Sequence, residues 1–149
     1  MSLQAQVMEQ LKEAMKAKDS VALESLRAIK SALLLAQTES GAKKELTKDE
    51  EIKLLQKLVK QRRDSATLYN EQGRADLAEP ELQQLVVIEK FLPEQLSDEE
   101  LRKIISEIIE KTGASSMKDM GNVMGQATKE LAGKADGKAI STIVKELLS

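Results

Sequence analysis

The stretch "FLPEQLSDEEL", residues 91–101, decides how this chain is organised. Pro93 cannot continue a helix, because its ring fixes φ and leaves no amide hydrogen to donate. Ser97-Asp-Glu-Glu100 then has the form of a capping box, in which the serine oxygen takes up an orphan amide at a helix start. One helix is therefore predicted to stop near Phe91 and another to begin after Ser97. The same reading divides the chain into residues 1–94 and 95–149.

On the N-terminal side the punctuation repeats. Leu3, Val7, Leu11 and Met15 recur four apart and predict a first helix over about residues 2–17. Asp19 reads as the cap of a second, from Ser20 to about Ser40, with Val21, Leu26, Ile29, Leu33 and Ala36 on its inner face. Gly41 stops it and "AKKEL" follows as a basic loop. Thr47-Lys-Asp-Glu50 is a second capping box, and its helix is expected to reach Gln72 and end at Gly73. "GRADLAEPELQQL" reads as a break, with Pro80 in the first turn of a fourth helix that runs to about Phe91. On the C-terminal side, Leu101, Ile104, Ile105, Ile108 and Ile109 mark a fifth helix that Gly113 ends. Ser116 opens a sixth and Asp136 caps a seventh. The expected fold is all-α: an N-terminal four-helix bundle followed by a C-terminal three-helix bundle.

The totals exclude several functions. The chain has neither cysteine nor histidine, so thiolate chemistry, serine–histidine nucleophiles and the commonest zinc ligands are all missing. That composition suits a reducing cytosol, and a cytoplasmic protein is expected. Tyr69 and Phe91 are the aromatics, too few for a base-stacking platform. The net charge is −2, so contact with nucleic acid must be local. No apolar run is long enough to span a membrane, and the start "MSLQAQVMEQL" lacks a basic-then-apolar signal layout. Acidic pairs such as Glu50-Glu51 sit in first turns of helices, where they complement the dipole. No catalytic residue, metal ion, cofactor or membrane contact is expected.

Four features remain. Residues 43–63 hold eight basic and four acidic side chains, and Lys53, Lys57 and Lys60 share one face of the third helix. That face is either a phosphate-tracking stripe or a solvated surface. Arg62 projects into the apolar face near Tyr69, where a guanidinium needs partners. It either clamps two helices, with Glu89 as the expected carboxylate, or reads a ligand. Gly121 and Gly125, four apart in the sixth helix, suggest a tight helix crossing. Finally, "GKADGK", residues 133–138, places Gly133 at a helix stop and Asp136 at a helix start, with Gly137 in its first turn and Lys134 and Lys138 beside it. This is either a corner or, through exposed amides and two ammonium groups, an anion contact.

"MGNVMGQATKELAGKADGKAISTIVKELL", "RRDSATLYNEQGRADLAEPELQQLVVIEKFLPEQLSDEEL" and "LRAIKSAL" together resemble the GatB/YqeY family over nearly the full length. The resemblance is to a stand-alone YqeY-like member. It implies two α-helical bundles, four helices and then three. It also implies kinship with the tail of the B subunit of the glutamine-dependent Asp/Glu-tRNA amidotransferase, a carbon–nitrogen ligase with glutamine as amido-N-donor. That tail is understood to contact tRNA away from the chemistry. By this resemblance Lys134 and Lys138 face tRNA, and Gly133, Asp136 and Gly137 shape the turn. The large ATP-using portion of the B subunit has no counterpart in 149 residues. The function implied is a small adaptor, bound to tRNA or to a tRNA-handling enzyme and not catalytic alone. The alternatives are a protein–protein module without RNA contact, and a weak amidotransferase or an accessory that stimulates one.

Overall fold

A computed structural model describes residues 2–39 and 45–149. The regular elements among them are seven α-helices: α1 (Leu3–Ala17), α2 (Ser20–Glu39), α3 (Lys48–Glu71), α4 (Ala75–Glu89), α5 (Asp98–Thr112), α6 (Met120–Glu130) and α7 (Gly137–Leu148). A short 3-10 turn, Met117–Asp119, precedes α6. The fold is all-α, as expected. The chain divides into two compact units, Met1–Leu92 and Pro93–Ser149. The first holds α1 to α4 and the second α5 to α7.

The first unit is built from aliphatic stripes. Ser2 caps α1, its Oγ accepting from the Ala5 amide at 3.2 Å. Leu3, Val7, Leu11 and Ala14 then face inward. Ala14 takes the place expected of Met15, which is 60% exposed, because a step of three from Leu11 returns to the stripe better than a step of four. Asp19 starts α2 by accepting from the Ala22 amide at 3.1 Å, and Thr47 starts α3 by accepting from Glu50 at 3.2 Å. Leu26, Ile29 and Leu33 of α2 meet Leu55, Val59, Leu85, Ile88 and Leu92 in one core. Each fully buried aliphatic of this kind is worth about 1.5–3 kcal/mol. Ser25 is buried among them and donates to the Val21 carbonyl at 2.8 Å. The expected stop at Gly41 and the loop lysines Lys43 and Lys44 lie outside the described residues.

The start of α4 corrects the sequence reading. "GRADLAEP" is helix rather than a break: α4 begins at Ala75, and Pro80 stands inside it. An interior proline removes a hydrogen bond to the carbonyl four residues back, here that of Asp76. Asp76 lies in the exposed first turn, where solvent can serve in place of the lost donor. Two features begin the helix early. Ala78 is buried at 2% exposure. Arg74 forks onto Asp76, Nε to Oδ1 at 3.1 Å and Nη2 to Oδ2 at 3.0 Å. The guanidinium beside it holds the Asp76 carboxyl below the usual range.

The second unit has shorter helices, and α5 and α7 begin at side-chain caps. Ser97 accepts from the Glu100 amide at 3.2 Å, and Gly113, at φ +69°, ends α5. Ile105, Ile108, Val123, Ala127, Leu131, Ile143 and Val144 fill its core. Arg102 on α5 ties to Asp98 at 2.8 Å and to Glu146 on α7 at 2.6 Å. Ser116 caps the 3-10 turn, so α6 itself begins at Met120. The tight crossing expected at Gly121 and Gly125 is absent. Both are exposed, and a Cβ on either would meet nothing within 4 Å.

Candidate nucleic-acid interface

The "GKADGK" turn is first of all a structural corner. Gly133 is buried at φ +77°, a left-handed conformation that side-chain-bearing residues adopt only at a cost. Its carbonyl accepts from Gln95 Nε2 at 2.6 Å, and the Lys134 carbonyl accepts from the Leu96 amide at 3.0 Å. The corner thus holds the segment that leads into α5. Ala135 is buried beside it. Asp136 then caps α7: its Oδ1 faces the Lys138 amide at 3.5 Å, and its carbonyl accepts from Ile140 at 3.1 Å.

This scaffold leaves both lysines pointing into solvent. Lys134 and Lys138 are exposed, and neither forms an ion pair among the described residues. They sit on either side of the α7 N-terminus, which carries a partial positive charge. Asp136 between them offsets part of that field. Both lysines stand on a unit that holds eight basic and ten acidic residues from Pro93 onward. The feature has two roles at once, a backbone clamp inward and free ammonium groups outward.

The expected α3 stripe separates into unlike parts. Lys60 pairs with Asp64 at 3.2 Å, so its charge is largely answered locally. Lys53 and Lys57 are exposed and unpaired among the described residues. They border a groove of about 440 Å³ between α2 and α3, whose floor is Ala32, Leu35, Ala36, Leu54 and Leu58. Sequence reasoning missed this groove. Its signal is the run Leu33-Leu34-Leu35: three consecutive helical residues span about 200° and cannot all face one core. Leu33 is buried, whereas Leu34 and Leu35 are 45% and 61% exposed.

Arg62 is a clamp, though not through Glu89. It is half-buried, with Nε to Gln84 Oε1 and Nη1 to the Leu58 carbonyl, each at 3.3 Å. Gln84 passes the charge on, donating from Nε2 to Glu24 Oε2 at 3.1 Å. The relay joins α3, α4 and α2. Glu89 faces Arg63 instead, at 3.9 Å. Arg62 and Arg63 lie about 100° apart on the helix, so only one can look toward each partner. Among the described residues no group of three or more acidic side chains is placed to hold a metal ion, and no described helix is long and apolar enough to cross a membrane.

These observations define an all-helical protein of two small units that offers a cationic corner and an apolar groove. The chain belongs to the Yqey-like protein family, whose model matches residues 4–148. It is 32% identical over 142 residues to "Altered inheritance of mitochondria protein 41, mitochondrial" of Clavispora lusitaniae, covering 93% of this chain and 80% of that protein. It is also 43% identical over 54 residues to a glutamyl-tRNA(Gln) amidotransferase subunit of Thermococcus gammatolerans. The subunit of the same name from Methanobrevibacter smithii is 47% identical over 55 residues. Those two matches cover 34% of this chain and only 9% of the archaeal proteins.

The names correct one expectation. The Clavispora relative is named as mitochondrial, as are two others that match 93% and 74% of this chain, so the cytoplasmic localisation does not stand. Its ground was weak in physical terms: lacking cysteine removes disulfides in every compartment and discriminates between none of them.

Proposed function

We propose that this protein is a small helical adaptor of tRNA-dependent amidotransferase-type machinery, and that it touches tRNA at the corner formed by Lys134 and Lys138. The amide transfer itself, a carbon–nitrogen ligation with glutamine as donor, belongs to a larger partner. The single observation that carries the reading is the 43% and 47% identity to glutamyl-tRNA(Gln) amidotransferase subunits over 54 and 55 residues. Support comes from the two unpaired ammonium groups beside a helix N-terminus, which suit a phosphate. Gly133, Asp136 and Gly137 give the corner its shape. Lys53, Lys57 and Lys60 form a second basic run, of which Lys60 is already engaged by Asp64.

A gel-shift titration of the chain against unfractionated tRNA at low salt tests this. Retardation is expected, and the double variant K134A/K138A should weaken it several-fold while circular dichroism stays unchanged. No retardation at low salt would defeat the reading. A second reading, a protein–protein module without RNA contact, is favoured by one observation: the floor of the α2–α3 groove is apolar, which phosphate contact does not require.

A further inference from the structure

We infer that the groove between α2 and α3 receives an acidic amphipathic helix of a partner protein, its apolar face on Leu35, Leu54 and Leu58 and two carboxylates on Lys53 and Lys57. The inference stands on the first unit alone and does not rest on the tRNA reading.

Five features lead to this occupant. The floor is aliphatic yet open: Leu35 is 61% exposed, a state that costs free energy until something covers it. Ala32 and Ala36, one turn apart on α2, keep the groove low enough for a helix backbone to come close. The lining of α3 runs from residue 53 to residue 61, about 12 Å at the helical rise, the span of anchors at i, i+4 and i+7. Lys53 and Lys57 stand one turn apart on one rim without ion pairs among the described residues, matching two acidic groups at the same spacing. Glu39 lines the groove from α2, so the acidic flank of the occupant faces α3 and sets its orientation.

Other occupants fit less well. No aromatic residue lines the groove, so nucleic-acid bases find no stacking partner, and sugar–phosphate against leucine leaves polar groups unanswered. A single acyl chain brings one headgroup to two cations.

The probe is an amidated, fluorescein-labelled peptide of about sixteen residues, helical by design, with leucines at i, i+4 and i+7 and glutamates one turn apart on the adjacent flank. Titrated with the full chain, its anisotropy should rise and saturate. The double variant K53E/K57E should weaken binding about tenfold, and a peptide with lysines in place of the glutamates should regain it. L35E, at an exposed position that folding tolerates, should abolish binding with helicity unchanged. K134A/K138A should bind the peptide as the parent does, which separates this inference from the tRNA reading. Failure of the peptide to saturate would overturn it, as would binding indifferent to K53E/K57E. So would tRNA, oleate or a second copy of this chain occupying the groove in the peptide's place, detected as binding lost in L35E.

Discussion

The helices of the second unit are 11 to 15 residues long, and its corner is tied by backbone groups, Leu96 to Lys134 and Gln95 to Gly133. The first unit has helices of 20 and 24 residues, joins three of them through the relay Arg62–Gln84–Glu24, and leaves Leu34 and Leu35 uncovered. Short capped helices close upon themselves by local rules. Long helices share a core for part of their length and, where they diverge, present a surface. The second unit thus exposes charge beside a corner tied by its backbone, and the first exposes apolar area at Leu34 and Leu35.

The contrast can be broken most forcefully at the cores. By its size the second unit is worth roughly 3–8 kcal/mol, and Ile105→Ala should remove about 3 kcal/mol of that. Its methyl resonances from α5 to α7 should broaden or disperse on mild heating while those of α1 to α4 persist. Ile29→Ala should do the reverse. Both variants melting in one transition would mean that the units do not unfold separately. Next in size, Gly133→Ala forces a side chain into a buried left-handed position and should cost about 1–2 kcal/mol, read as a lower urea midpoint. An unchanged midpoint would show the corner to be slack.

Gly121→Ala and Gly125→Ala go the other way. Neither Cβ meets a neighbour, so each should stabilise α6 by about 0.5–1 kcal/mol, measured as a raised Tm. A lowered Tm would mean that the space beside α6 is not open in solution. The smallest effect concerns Arg74 and Asp76. The depressed Asp76 carboxyl contributes stability above its unfolded pKa, a contribution that disappears as pH falls through the lower folded value. Asp76→Asn should therefore lower neutral stability slightly, the pair being exposed, and flatten the acid limb of the unfolding curve. A steeper limb would contradict the ion pair.

What the sequence makes legible follows the same division. Asp19, Thr47, Ser97 and Asp136 cap the helices their positions predict, because capping is settled within three residues of chain. The start of α4 misleads because proline favours a first turn in isolation, whereas burial of Ala78 draws the helix five residues earlier. Arg62 is recognisable as needing partners, but the choice of Gln84 over Glu89 depends on how α3 and α4 meet. Gly121 and Gly125 suggest a close crossing that packing does not supply. The groove shows in sequence only as the run Leu33-Leu34-Leu35, because periodicity reports which face turns inward and says nothing of the distance to the next helix. The corner lysines are legible as charges, while the carbonyl clamp beneath them is not.

Whether the exposed corner meets RNA is decided by the salt dependence of tRNA affinity, compared between the parent chain and K134A/K138A. Removing two phosphate-binding ammonium groups should make the slope of log K against log salt shallower by about 1.5. Parallel slopes in the two proteins, or no measurable affinity at low salt, would mean that these lysines meet no phosphate.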